Sequence, residues 1–132
     1  MPTILIVDDD PLMSQMYRRI FTSEHYKVAM AEDGVEGLKC VREVKPTIIL
    51  LDIMMPKMNG LDVLDTLKAD QVFKRIPVIM LTDPAGEKDA ETALMKGAVK
   101  YIIKKENEPK DVVRIVKEVI TGNKRDENSN VH

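Results

Sequence analysis

Thr3-Ile4-Leu5-Ile6-Val7-Asp8-Asp9-Asp10-Pro11 runs from an uninterrupted apolar stretch through three acids into a proline. Apolar residues without polar alternation are expected of a parallel strand buried on both faces. Proline suits a first helical position, because the N–H it lacks would find no partner there, so Pro11 opens a helix with Asp10 as its N-cap. The stretch is a strand passed straight into a helix, the unit from which parallel crossovers are made.

The unit recurs along the chain. Apolar runs predict strands at residues 3–7, 27–30, 48–51, 77–81 and 100–103, alternating with amphipathic stretches. In the first helix Met13, Met16, Tyr17 and Ile20 share a face at i, i+3, i+4 and i+7. The second opens near Asp33, turns Gly34, Gly37, Leu38 and Val41 inward with the glycines close against the sheet, and ends before Pro46. The third follows Asn59-Gly60 and buries Leu61, Leu64 and Leu67. The fourth buries Ala90, Ala93 and Leu94 and stops at Gly97, a C-terminal capping glycine. The fifth starts at Pro109, with Val112, Ile115, Val116 and Val119 inward. Five strand–helix units with right-handed crossovers predict an α/β three-layer sandwich. Beyond Gly122 no apolar period remains, so residues 122–132 read as a polar tail or linker stub.

A chain of 132 residues fits one domain. A net charge of −2 provides no basic footprint, which argues against nucleic-acid binding by this chain. Cys40 is the lone cysteine, so neither an intramolecular disulfide nor a thiolate zinc cluster is available, and a reducing cytoplasm is the expected setting. No apolar run is long enough for a membrane span or signal segment.

In open α/β sheets ligands bind beyond the carboxyl ends of the strands. Here those ends carry Asp8 and Asp9, Asp52, Thr82 and Asp83, and Lys104 and Lys105. Singly, each has an ordinary reading: a capping or loop aspartate, a β-branched strand terminus, a solvated lysine. Together they differ. Asp10 takes the capping role, which leaves Asp8 and Asp9 to repel each other and Asp52 unless a hard cation such as magnesium sits among them. Beside such a cation and Lys104, Asp52 becomes an oxygen nucleophile for phosphoryl transfer, with Thr82 and Lys104 directed at the developing charge.

Ile4-Leu5-Ile6-Val7-Asp8-Asp9, Leu51-Asp52-Ile53-Met54-Met55-Pro56-Lys57-Met58-Asn59-Gly60, Met80-Leu81-Thr82 and Gly97-Ala98 with Tyr101-Ile102-Ile103-Lys104 stand in order along the chain. In these motifs it resembles the response regulator receiver family of two-component signalling, in the CheY-like single-domain form, over residues 3–121. The resemblance implies a flavodoxin-like (βα)5 fold with strand order 2-1-3-4-5, an order for which CheY is a standard example. It implies that Asp52 is the phosphoacceptor, that Asp9 and Asp52 ligate Mg2+ directly, that Asp8 acts through water, and that the Met54 carbonyl is a further ligand. Thr82 and Lys104 would contact phosphoryl oxygens, and Tyr101, otherwise an ordinary core aromatic, would report the switch by its rotamer. The implied protein is a phosphoprotein that catalyses its own phosphorylation and slow dephosphorylation, without being an enzyme in the usual sense. Its implied partners are a histidine kinase or histidine phosphotransfer protein and a downstream target reached through the surface of its fourth helix, fifth strand and fifth helix. No nucleic acid and no membrane are expected, and the chain would be a monomer or a phosphorylation-dependent dimer.

Lys105, Asp83 and Pro84 depart from the usual family pattern. Lys105 replaces a common proline and Asp83 a small residue, while Pro84 removes a donor from the fourth loop. A haloacid-dehalogenase-type phosphatase would need an acid where Met54 stands, and a flavodoxin would need a phosphate cradle where Asp8-Asp9-Asp10 stand. The remaining alternative is a receiver-like binding scaffold that is never phosphorylated.

Overall fold

The computed structural model describes residues 1–83 and 86–129. Strands β1 (Thr3–Val7), β2 (Lys27–Ala31), β3 (Ile48–Asp52), β4 (Val78–Thr82) and β5 (Lys100–Ile103) alternate with helices α1 (Pro11–Ser23), α2 (Gly34–Val44), α3 (Gly60–Ala69), α4 (Glu87–Met95) and α5 (Pro109–Ser129). All strand pairs are parallel, in the order β2-β1-β3-β4-β5. This is the flavodoxin-like arrangement implied by the resemblance.

Residues of β1, β3 and β4 between Ile4 and Val7, Ile48 and Leu51, and Val78 and Leu81 are at most 1% exposed, as expected of central strands covered on both faces. Each fully buried Ile or Leu stabilises the fold by about 1.5–3 kcal/mol. Alternate residues feed two separate cores. Ile4, Ile6, Ile48, Leu50, Ile79 and Leu81 meet Tyr17 and Phe21 of α1 and Val112 and Val116 of α5. Leu5, Val7, Ile49, Leu51, Val78 and Met80 meet Val41 of α2, Val63, Leu64 and Leu67 of α3, and Ala90 and Ala93 of α4. The buried side chains described for α4 are therefore alanines alone.

Several sequence expectations shift. Strand β2 reaches Ala31, which pairs with Val7, and β3 includes Asp52, which pairs with Leu81. Strand β4 begins at Val78, because Pro77 has no N–H and only accepts, from Ile49 N at 3.0 Å. Helix α1 buries Ser14, Tyr17 and Phe21, and Met16 is 37% exposed. The face is centred one step away from the methionines. Leu94 of α4 is 39% exposed. Helix α5 continues past Gly122 to Ser129, a single interior glycine costing only about 1 kcal/mol relative to alanine; residues 130–132 lie outside the described part.

Several local features were not anticipated. After α3 a short 3-10 turn, Phe73–Arg75, is held by Asp70 Oδ1, which accepts from Val72 N at 2.7 Å and Phe73 N at 3.0 Å. Lys68 Nζ donates to the carbonyls of Lys74 at 3.0 Å and Ile76 at 3.4 Å, and burial lowers its pKa. Gly34 packs against the loop after β3 rather than the sheet: a Cβ there would lie 2.5 Å from the Met58 carbonyl oxygen. Asp33, the N-cap of α2, also pairs with Lys57 at 3.5 Å. Lys57 holds a left-handed φ of 68°.

Candidate functional site

Strand β1 ends where the chain turns into α1, and its three acids divide their work. Asp10 Oδ1 accepts from Leu12 N at 3.0 Å and Met13 N at 3.3 Å, the capping role expected of it. Asp8 is buried; its Oδ1 accepts from Asp10 N at 2.9 Å, and its carbonyl accepts the Ser14 hydroxyl at 3.3 Å. Asp9 is exposed.

Asp52 closes β3 at only 5% exposure, and its Oδ1 accepts from Met54 N at 3.3 Å. The chain then turns back so tightly that Gly60 N donates to the Ile53 carbonyl at 2.8 Å. A Cβ at Gly60 would stand 2.3 Å from the Asp52 carbonyl oxygen, so only glycine fits beneath the acid.

From the end of β5, Lys104 extends its ammonium between the two buried carboxylates, 3.0 Å from Asp8 Oδ2 and 3.3 Å from Asp52 Oδ2. Burial pushes the Asp52 carboxyl up to about 7; Lys104 opposes that rise and Asp8 adds to it. Burial also disfavours the Lys104 ammonium, but Asp52 and Asp8 together outweigh it and its pKa is raised. The Tyr17 phenol, buried below on α1, is pushed up to about 12 by burial, with smaller influences from Lys104, Asp8 and Asp52.

Asp8, Asp9 and Asp52 bring carboxylate oxygens within 4.8 Å of one another. Asp8 Oδ2 is buried and makes no well-aligned hydrogen bond despite its ion pair with Lys104. An under-satisfied buried oxygen in a cluster of hard oxygen donors fits magnesium, which takes carboxylates and carbonyls. Met54 borders the cavity of about 410 Å3 above these groups, together with Asp9, Asp52 and Lys104.

Thr82 and Tyr101 stand apart from that cluster. Thr82 is fully buried and its hydroxyl donates to the Asp83 carbonyl at 2.9 Å. Tyr101 is half-buried against the core shared by α2, α3 and α4. Neither side chain borders the cavity, whereas Asp83 and Lys105 do. The sequence marked those two only as departures from a pattern. Ser14 was missed altogether, although its position four residues after Asp10 and three before Tyr17 gave the signal. Among the described residues no peptide is cis, Lys104–Lys105 included, and Pro84 lies outside them.

Fold and site together define a class: an open parallel α/β sheet with acids and a lysine gathered at its carboxyl edge. The chain matches the response regulator receiver domain over residues 4–117, and it belongs to that family. It is 39% identical over 114 residues to the DNA-binding response regulator MtrA of Mycolicibacterium smegmatis, covering 86% of this chain and 48% of that protein. It is 35% identical over 115 residues to hybrid signal transduction histidine kinase D of Dictyostelium discoideum, covering 87% of this chain and 7% of that protein. Among solved structures, a CheY-like response regulator receiver domain protein from Methanospirillum hungatei superposes with a TM-score of 0.85 at 30% identity, over 96% of this chain and 98% of that one.

The chain spans about half the length of the MtrA proteins it matches. These relatives overturn the partner set drawn from the sequence, in which nucleic acid was excluded. A net charge of −2 describes only the average over these 132 residues, while the DNA binding named for the relatives belongs to proteins about twice as long. The charge therefore excludes nothing about the partners of this family. Among the described residues no helix is long and apolar enough to cross a membrane.

Proposed function

We propose that this chain is a phosphoacceptor switch in a two-component phosphorelay, with Asp52 as the residue that takes the phosphoryl group. The observation that carries the reading is the placement of the Asp52 carboxylate, buried at a strand end, open to a cavity, and 3.3 Å from the Lys104 ammonium. The Asp52 carboxylate attacks phosphorus in line with the leaving group, and Lys104 meets the negative charge that gathers on the phosphoryl oxygens. Lys104 already holds its charge in place through Asp8, so it needs little reorganisation during transfer.

The side chains of Asp8, Asp9 and Asp52 and the Met54 carbonyl would hold Mg2+. When bound, the ion neutralises charge between the carboxylates and the phosphoryl oxygens. No separate substrate is turned over: the protein catalyses its own modification and its slow reversal. In the output step Thr82 leaves the Asp83 carbonyl for a phosphoryl oxygen. Tyr101 and the surface of α4, β5 and α5 then change arrangement to control a partner or output domain.

Acetyl phosphate with Mg2+ tests the acceptor. Intact-mass analysis should show one phosphoryl group on wild type and none on Asp52→Asn; equal labelling of the variant places the nucleophile elsewhere. An unlabelled wild type favours the scaffold reading.

A further inference from the structure

The cavity above Asp52 has two lysines on its wall, and among the described residues only one of them is paired with acids. The Lys104 side chain is 12% exposed, and its ammonium is shared between Asp8 and Asp52. Lys105 is exposed on the same cavity, and among the described residues it forms no ion pair within 4.0 Å. The other charged groups on the wall are acids: Asp9, Asp10 and Asp83, besides Asp52 itself. Every phosphoryl donor arrives as an anion, and with Mg2+ held among Asp8, Asp9 and Asp52 it still meets the acids Asp10 and Asp83 on this rim.

We propose that Lys105 is the donor-recognition residue of this site, a rim cation that draws an anionic phosphodonor past Asp10 and Asp83. Asp83 works against it from the same rim, and the two charges set how readily small phosphodonors are accepted. This rests on Asp52 being the acceptor. With an acyl phosphate, the bond from Asp52 oxygen to phosphorus forms as the bond from phosphorus to the acyl oxygen breaks. The electron pair leaves with the carboxylate product, and no proton or electron is exchanged. Lys105 acts before that step, on the encounter.

One charge at a solvated rim changes such an encounter by roughly threefold, and the effect fades as salt screens it. The test measures the second-order rate constant for phosphorylation by acetyl phosphate, with Mg2+ in excess and at low ionic strength. Lys105→Gln should lower it about threefold, Lys105→Arg should restore it, and Asp83→Asn should raise it. In high salt the variants should converge on wild type. The shift of thermal midpoint caused by Mg2+ should be the same in all, because none of these residues is assigned to the metal. An unchanged rate constant in Lys105→Gln, or a loss that persists in high salt and is not restored by arginine, overturns the assignment. If wild type is labelled at Asp52 and only the charge dependence is missing, Lys105 alone is misassigned. If Asp52→Asn is labelled like wild type, the acceptor reading falls and this inference falls with it.

Discussion

Replacing Gly60 and Gly122 by alanine makes the same chemical change at two helix positions with opposite expected results. At Gly60 the new Cβ would stand 2.3 Å from the Asp52 carbonyl oxygen and 2.9 Å from the Ile53 Cα. Ordinary contact begins near 3.4 Å, so the start of α3 or the Asp52–Ile53 peptide must retreat by about 1 Å. Both are anchored. Val63, Leu64 and Leu67 of α3 are at most 1% exposed, and Asp52 lies in a central strand between β1 and β4. Overpacking of this kind costs about 1–3 kcal/mol, and the shift also stretches the 2.8 Å bond from Gly60 N to the Ile53 carbonyl. Alanine returns less than about 1 kcal/mol through reduced backbone freedom in the unfolded chain. The net expectation is a loss of about 2 kcal/mol. At Gly122 a Cβ meets nothing within 4 Å, so only the helix-propensity gain remains, up to about 1 kcal/mol. Urea unfolding at fixed pH reads both. With a slope of about 1–3 kcal/mol/M, the midpoint of Gly60→Ala should fall by roughly 1 M and that of Gly122→Ala should rise by a fraction of that. An unchanged or raised midpoint for Gly60→Ala refutes the tight turn beneath Asp52.

Three further outcomes are expected. Mg2+ should raise the thermal midpoint by mass action, and Asp9→Ala should stabilise the metal-free protein by relieving acidic repulsion while abolishing the response; a variant that melts lower without metal, or still responds fully, removes Asp9 from the site. The folded-state pKa of Tyr17, about 12, lies above its unfolded value near 10, so its stabilising contribution is complete below pH 10 and lost as pH rises toward 12; Tyr17→Phe should flatten alkaline unfolding in that window, and an unaltered profile shows that Tyr17 is not its cause. Met54 is 60% exposed at the cavity and holds no water by hydrogen bonding, so Met54→Asn should shorten the lifetime of the phosphoprotein, as followed by loss of phosphoryl without a phosphatase; an equal or longer lifetime means the side chain does not limit water attack.

The legible parts of this protein were those in which local chemistry and final environment agree. Ile4 to Val7 and Ile48 to Leu51 can satisfy their apolar surface only as central strands. Asp10-Pro11 is a helix start in any context. Strand-end acids and Lys104 follow from where parallel strands put their carboxyl ends. Other parts depend on tertiary partners. Lys68 looks like a solvated helix lysine, yet it crosses to the carbonyls of Lys74 and Ile76. Met16 matched a period but lost the buried face to Ser14 and Phe21, because that face is set by where α1 crosses the sheet rather than by hydrophobicity alone. The direction of the Thr82 hydroxyl is a rotamer choice made by its neighbours, and no spacing encodes it.

Among the described residues, helix α4 buries only the methyl groups of Ala90 and Ala93, where α3 inserts two leucines and a valine. An alanine presents a shallow bump to the sheet, so sliding or tilting the helix unseats little interdigitated surface. A leucine would have to be withdrawn from a socket. Displacing α4 therefore vacates less buried side-chain volume than displacing α3 would. That makes it a compliant element mounted on a stiff sheet, and substitutions enlarging Ala90 or Ala93 would act on its stiffness as much as on its fit.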